Sequence, residues 1–189
     1  MERSLILASA SPRRRELMSY TGVPFEVITA DAQEVTNGEP QALVMENARR
    51  KARAVAKSHP GRIVLGADTI VYQGGRALGK PRDREEAKAM LRSLSGARHT
   101  VYTGVCVIAP DGREDTRCDE TSVLFVPLQD ATIDRYVADG EPMDKAGAYA
   151  IQGKGGMFVR SIEGSYSNVI GLPLALVREM LLRAGVENL

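Results

Sequence analysis

Apolar residues fall in short bunches along this chain, and the period of the bunches changes from segment to segment. Leu5 to Ala8 is a continuous apolar run, the pattern of a short buried strand. Ser11 suits a helix N-cap and Pro12 the first helical position. A helix is therefore expected to about Tyr20, with Leu17 and Met18 on its apolar side and Gly22 as terminator. Pro24 to Thr29 alternates like a second strand, and the polar stretch from Asp31 to Pro40 reads as a loop. Pro40 opens a helix from Gln41 to about Lys57, whose alanines at 42, 48, 52, 54 and 56 suit close packing. His59-Pro60-Gly61 ends it. Arg62 to Gly66 reads as a buried strand ending in Ala67-Asp68-Thr69, with Ile70 to Tyr72 continuing it or beginning the next.

The second half carries more turn chemistry. Gly74-Gly75 marks a turn, and Asp83 followed by Glu86 has capping-box spacing, so a helix is expected from Arg84 to about Ser93. Val101–Ile108 and Thr121–Pro127 read as strands of a hairpin around Asp111-Gly112. Asp130 is expected to cap a short helix to about Ala138, and a polar, glycine-bearing segment follows from Gly140 to Gly156. Met157 to Ile162 reads as a strand, and Leu172 to Arg183 as the last helix, stopped by Gly185. Helical and hairpin connections together predict an α/β fold with a mixed, twisted sheet and flanking helices. The length of 189 residues, without repeat or long linker, points to a single domain over 1–189.

Composition narrows the function classes. At 43% hydrophobic and 26% charged, the chain is an ordinary globular sequence. A net charge of +1, with three Phe, six Tyr and no Trp, argues against a nucleic-acid binder. Cys106 and Cys118 form no C-x-x-C pair, and His59 and His99 are the only imidazoles. A structural zinc site is not expected, and free thiols in a reducing compartment are. No apolar run reaches about 18 residues and the apolar start is too short for a signal peptide, so the expectation is a cytoplasmic protein without a membrane partner.

Candidate chemistry is concentrated in a few segments. In Ser9-Ala10-Ser11-Pro12-Arg13-Arg14, hydroxyls and free helix N–H groups meet two fork-shaped cations suited to phosphate, although a capped surface helix explains the same residues. Asp68 sits where an α/β sheet often faces its ligand, and could hold a metal or accept a proton. Glu34 could share a metal with it; two carboxylates without thiol or imidazole favour magnesium or manganese. Lys51 lies on a basic helix, where a surface role is the plain alternative. Gly74 to Lys80 nearly matches a P-loop, but Pro81 stands where the magnesium-binding Ser/Thr belongs, so a P-loop is rejected. Lys80 remains a possible phosphate contact. Asp144 to Gly153 combines charge, small residues, Tyr149 and Gln152, whose amide can read a base edge. Gly164-Ser165-Tyr166-Ser167-Asn168 is another polar segment.

Taken in order, these blocks resemble the Maf family, the septum-formation-inhibitor-like nucleotide pyrophosphatases. The matching runs are Leu7-Ala8-Ser9-Ala10-Ser11-Pro12-Arg13-Arg14, Gly66-Ala67-Asp68-Thr69, Gly79-Lys80-Pro81, Asp144 to Tyr149 with Ile151-Gln152-Gly153, and Gly164 to Asn168 with Gly171-Leu172-Pro173-Leu174. The resemblance implies a two-lobed fold with a central cleft, related to the inosine-triphosphate pyrophosphatases. It implies cleavage of a nucleoside triphosphate between the α and β phosphates with a divalent metal, here Mg2+ or Mn2+ on Asp68 and Glu34. Asp68 matches the family's catalytic proton acceptor, and Glu34, Lys51 and Lys80 match charged pocket positions. Arg13, Thr69 and Gln152 match positions tied to substrate choice, with Ser11 and Arg14 in the same anion grip. Arg13, where the 7-methyl-GTP branch tends to carry tryptophan, resembles the dTTP/UTP branch. The competing reading is a nucleotide-binding regulator of septum formation with little turnover. Oligomeric state stays open, a homodimer being one option.

Overall fold

The apolar run at the start forms β1, Leu5–Ala8, wholly buried, in a computed structural model that describes residues 5–187 and 189. β2, Phe25–Val27, and β3, Ile63–Gln73, flank β1 and run parallel to it, with Leu5 opposite both Phe25 and Ile63. Parallel neighbours need crossovers, and α1, Pro12–Ser19, and α2, Pro40–Ala56, supply them. Ser11 caps α1 as expected, its Oγ accepting the Arg14 N–H at 3.4 Å. Two glycines decide how α2 packs. A Cβ on Gly66 would stand 2.5 Å from the Ala48 carbonyl oxygen, and one on Gly104 would collide with the Val44 carbonyl. The helix backbone therefore rests directly on the sheet.

The remaining strands are β4, Arg76–Leu78; β5, Arg98–Ile108; β6, Glu114–Phe125; and β7, Val159–Glu163. The sheet runs β2-β1-β3-β5-β6-β7, with β4 paired to β3. Since β3–β4 and β6–β7 are antiparallel, this is the mixed sheet with flanking helices that the alternation of connections predicts. No helix among the described residues is long and apolar enough to cross a membrane.

The chain packs as two compact units. The first holds the chain up to Asp68, Thr103–Asp119 and Gly171 onward; the second holds Thr69–Tyr102 and Glu120–Ile170. In the first, Ile6, Ala8, Ala48, Ala52, Val64 and Cys106 form a core between α2 and the sheet. Here α6, Leu174–Arg183, buries Val177, Met180 and Leu181. In the second, α3, Arg84–Leu94, packs on α4, Asp130–Ala138, around edge-on rings of His99, Phe125, Tyr136, Tyr149 and Phe158.

The structure sharpens several expectations and corrects one. Of the two readings for Ile70 to Tyr72, continuation holds: β3 is one strand of 11 residues with Asp68 in its interior. Gly74 and Gly75, with φ of 57° and 80°, form the expected turn, here a hairpin into β4, so only Arg76–Leu78 of the rejected P-loop segment is strand. Asp130 does not cap α4: Gln129 holds that position, and Asp130 pairs with Arg92 at 2.7 Å. The segment after Gly140 folds into 3-10 turns at Glu141–Asp144, Ala146–Ala148 and Lys154–Phe158. The polar run at 164–168 leads into a short helix, α5, Tyr166–Ile170.

Candidate active site

Alternation along β3 decides what Asp68 meets. Gly66 lies against α2, and successive strand residues face opposite sides, so Asp68 faces α2 as well. On that helix Asn47 and Lys51 are four residues apart and share a face. The Lys51 ammonium lies 2.7 Å from Asp68 Oδ1 and 2.6 Å from Glu34 Oε1. Asn47 Nδ2 donates to Asp68 Oδ2 at 3.1 Å. Asp68 is only 8% exposed, and a carboxylate so buried requires such partners. Glu34 reaches Lys51 from the exposed loop before α2.

The parallel register brings the β1–α1 turn to the same strand. Ala8 pairs with Gly66, so the chain from Ser9 emerges beside Ala67. Ser9 Oγ accepts the Ser11 N–H at 3.2 Å. Arg14 commits Nε to the Gly171 carbonyl at 2.8 Å and Nη1 to the Ala67 carbonyl at 2.9 Å. Burial pulls the Arg14 pKa down; the Asp68 carboxylate opposes that fall, Arg13 adds to it, and Glu34 opposes it. Arg13 itself is half-buried at the start of α1. Ser11, Arg13, Arg14, Glu34, Lys51 and Asp68 thus all belong to the first unit.

The other three predicted site residues belong to the second unit. Thr69 follows Asp68 on β3, but strand alternation sends its side chain to the opposite face. Lys80 is exposed on the turn between β4 and α3, beside buried Pro81. That turn is anchored where Gly147 donates its N–H to the Gly79 carbonyl at 3.1 Å. Gln152 is exposed in a loop organised by Glu141. The Glu141 carboxylate accepts the Tyr136 hydroxyl at 2.8 Å, the Lys154 N–H at 3.1 Å and the Gly155 N–H at 3.2 Å.

The family model described as Maf-like protein matches residues 4–184. The chain belongs to this family. A dTTP/UTP pyrophosphatase of Anaeromyxobacter dehalogenans is 55% identical to this Maf-like chain over 186 residues, covering 96% of it and 94% of the relative. A dTTP/UTP pyrophosphatase of Bacillus anthracis is 51% identical over 181 residues, covering 94% of each. Among solved structures, the Ham1 protein of Staphylococcus aureus aligns with a TM-score of 0.56 at 16% identity, covering 95% of this chain and 98% of that one. A HAM1 protein of Coxiella burnetii aligns with a TM-score of 0.54 at 15% identity and the same coverage. At those identities the likeness concerns the fold alone.

The Maf-like site offers a metal few ligands of its own. Among the described residues no group of three or more His, Cys, Asp and Glu gathers. Glu34 and Asp68, however, converge on one positive nitrogen, so the pair already accommodates a cation. Two hard carboxylates fit magnesium or manganese, ions that complete their shell with water and substrate phosphate. Two organising residues escape a reading of the sequence. Asn47 lies one helical turn before Lys51, a spacing visible in the sequence. Glu141 has no such signal, because its partners lie up to 14 residues further along an irregular segment.

Proposed function

We propose that this chain hydrolyses dTTP and UTP to the nucleoside monophosphate and pyrophosphate. The observation that carries the reading is the buried Asp68 carboxylate sharing the Lys51 ammonium with Glu34, on the strand beside the Ser-Pro-Arg-Arg turn. A pure binder of polyanions gains nothing from two acids at its phosphate site. The names of the relatives support the substrate class.

In this mechanism Asp68 accepts the proton of the attacking water, whose oxygen bonds to the α-phosphorus as the bond to the bridging oxygen breaks and pyrophosphate departs. Lys51 and Arg13 offset the negative charge of the phosphate chain, with Ser11 as a hydroxyl contact. Arg14 holds the turn through the Gly171 and Ala67 carbonyls and adds to the positive field. A divalent cation, held by Glu34 and Asp68, would supply further neutralisation of phosphate oxygens when bound. In the second unit, Lys80 is assigned as a further phosphate-facing cation, and Thr69 and Gln152 as positions of substrate choice. The Gln152 amide offers both donor and acceptor to a pyrimidine edge. A cytoplasmic setting is proposed as well, in keeping with Cys106 as a buried thiol.

The test is pyrophosphate release from dTTP and UTP with magnesium, against ATP and GTP as controls. Asp68→Asn should lower kcat by about 10²–10⁴-fold, the usual worth of a positioned general base, with the melting temperature retained. Near-normal release by that variant removes Asp68 from its role. Tight nucleotide binding by the wild type without release favours the regulator instead.

A further inference from the structure

Asn47 makes an unusual set of bonds for a residue inside a helix. It is 3% exposed, and its neighbours Val44 and Ala48 on α2 are wholly buried apolar residues. Its Oδ1 accepts the Val35 N–H at 2.7 Å, while Nδ2 donates to the Val35 carbonyl at 2.9 Å and to Asp68 Oδ2 at 3.1 Å. The two bonds to Val35 decide which way the amide points. Reversed, it would set donor against donor and acceptor against acceptor. The third contact therefore comes from an N–H and needs an acceptor on Asp68. Both amide hydrogens are engaged, one on each side of a single rigid group.

Through these bonds one side chain joins two parts of the site that are far apart in sequence. It clamps the backbone of the residue after Glu34, and it holds the Asp68 oxygen that Lys51 does not touch. Packing alone does not require this, since an apolar residue would fill the position without the desolvation cost of a buried amide. We propose that Asn47 is a positioning residue that sets Glu34 and Asp68 on either side of the Lys51 ammonium. The proposal rests on the reading of Asp68 as proton acceptor, and acts through Asp68 and the Glu34 loop without touching the reacting atoms.

Two variants separate positioning from bulk stability. Asn47→Asp keeps the size and an acceptor for Val35 N–H, but turns both donors into acceptors. Asn47→Ala removes all three bonds. With wild type and both variants assayed for pyrophosphate release, Asn47→Asp should lose about 10²-fold in kcat, the scale of a misplaced catalytic group, while KM moves by less than about threefold. In a Glu34→Gln background the same change should cost under about fivefold, because the pair it aligns is already incomplete. Hydrogen exchange at the Val35 amide, read without nucleotide, should be about tenfold faster in Asn47→Ala. Wild-type kcat in Asn47→Asp, or losses that multiply in the double variant, overturn the proposal, and Asn47→Asp keeps this test should Asn47→Ala fail to fold. If the wild type releases no pyrophosphate from either nucleotide, the proposed function falls. Val35 exchange then decides the clamp alone, and an unchanged rate in Asn47→Ala overturns it.

Discussion

Gly66 on β3 lies directly beneath Ala48 on α2, so close that a Cβ at position 66 would stand 2.5 Å from the Ala48 carbonyl oxygen and 2.8 Å from the Ala52 nitrogen. Both obstacles are helix backbone, which cannot turn aside as a side chain would. This contact sets the height of α2 above the sheet, and so the reach of Lys51 and Asn47 to Asp68. Gly66→Ala should lift the helix and destabilise the protein by about 2–3 kcal/mol. Thermal unfolding should show this as a fall of roughly 4–12 °C. Turnover should fall as well, measured at a temperature where the variant is fully folded. A variant of wild-type stability and turnover would show that the helix yields at no cost.

The Lys51 ammonium occupies the space between two carboxylates that the proposed cation would share. Lys51→Met removes that positive charge and leaves Glu34 and Asp68 repelling each other. Manganese should then bind the nucleotide-free variant more tightly than wild type, by about tenfold or more, while turnover drops. Calorimetric titration with manganese reads the affinity without any reaction. Equal affinity in the two proteins would mean that these carboxylates do not hold the metal.

Most of this scaffold was legible where local signals are strong. The run Leu5–Ala8, the Ser11-Pro12 cap and the turn at Gly112 each carry their own chemistry, and the elements form there. Asp68 left the continuation of β3 open, because aspartate is disfavoured in strand interiors. Its partners Lys51 and Asn47 satisfy the carboxylate, and they arrive from a helix that no strand pattern reveals. β4 and α5 are three and five residues long, too short for periodicity to show. Glu34, Lys51 and Asp68 could be named from their resemblance to a family, but their meeting on one nitrogen is a product of tertiary packing. Arg14 shows the opposite limit: its bonds to two backbone carbonyls have no trace in the Ser-Pro-Arg-Arg motif.

Glu141 organises the loop that carries Gln152. Its carboxylate accepts one hydroxyl and two backbone N–H groups, and those bonds hold its pKa below the ordinary value against the opposing effect of burial. A Cβ on Gly153 would collide with it, so that glycine leaves the carboxylate its place. Glu141→Gln presents an NH2 group where an N–H donor now points. Exchange at the Lys154 and Gly155 amides should rise about tenfold or more, and kcat/KM for dTTP and UTP should fall by about tenfold. Protection equal to wild type at both amides would mean that the loop stands without the carboxylate.

His99 supplies a pH dependence of stability that can be isolated from the many carboxylates. It is 2% exposed, with Nε2 2.8 Å from the Tyr149 hydroxyl and the Phe125 ring edge-on at 5.0 Å. No charged partner offsets burial among the causes of its shift, so burial alone takes its pKa from 6.5 to about 4. The unfolded chain therefore binds a proton at His99 at a pH where the folded protein does not. Between pH 6.5 and about 4 the unfolded state holds more protons, and stability rises with pH across that window. The contribution is fully present above pH 6.5 and is lost as pH falls toward 4, by roughly 3 kcal/mol in total. His99→Gln keeps a polar atom near the Tyr149 hydroxyl but cannot titrate. Denaturant unfolding of wild type between pH 7 and 4.5 should show a steeper loss than the variant, the two curves converging as pH falls. Parallel curves would mean that His99 stays solvated enough to take its proton in the folded state.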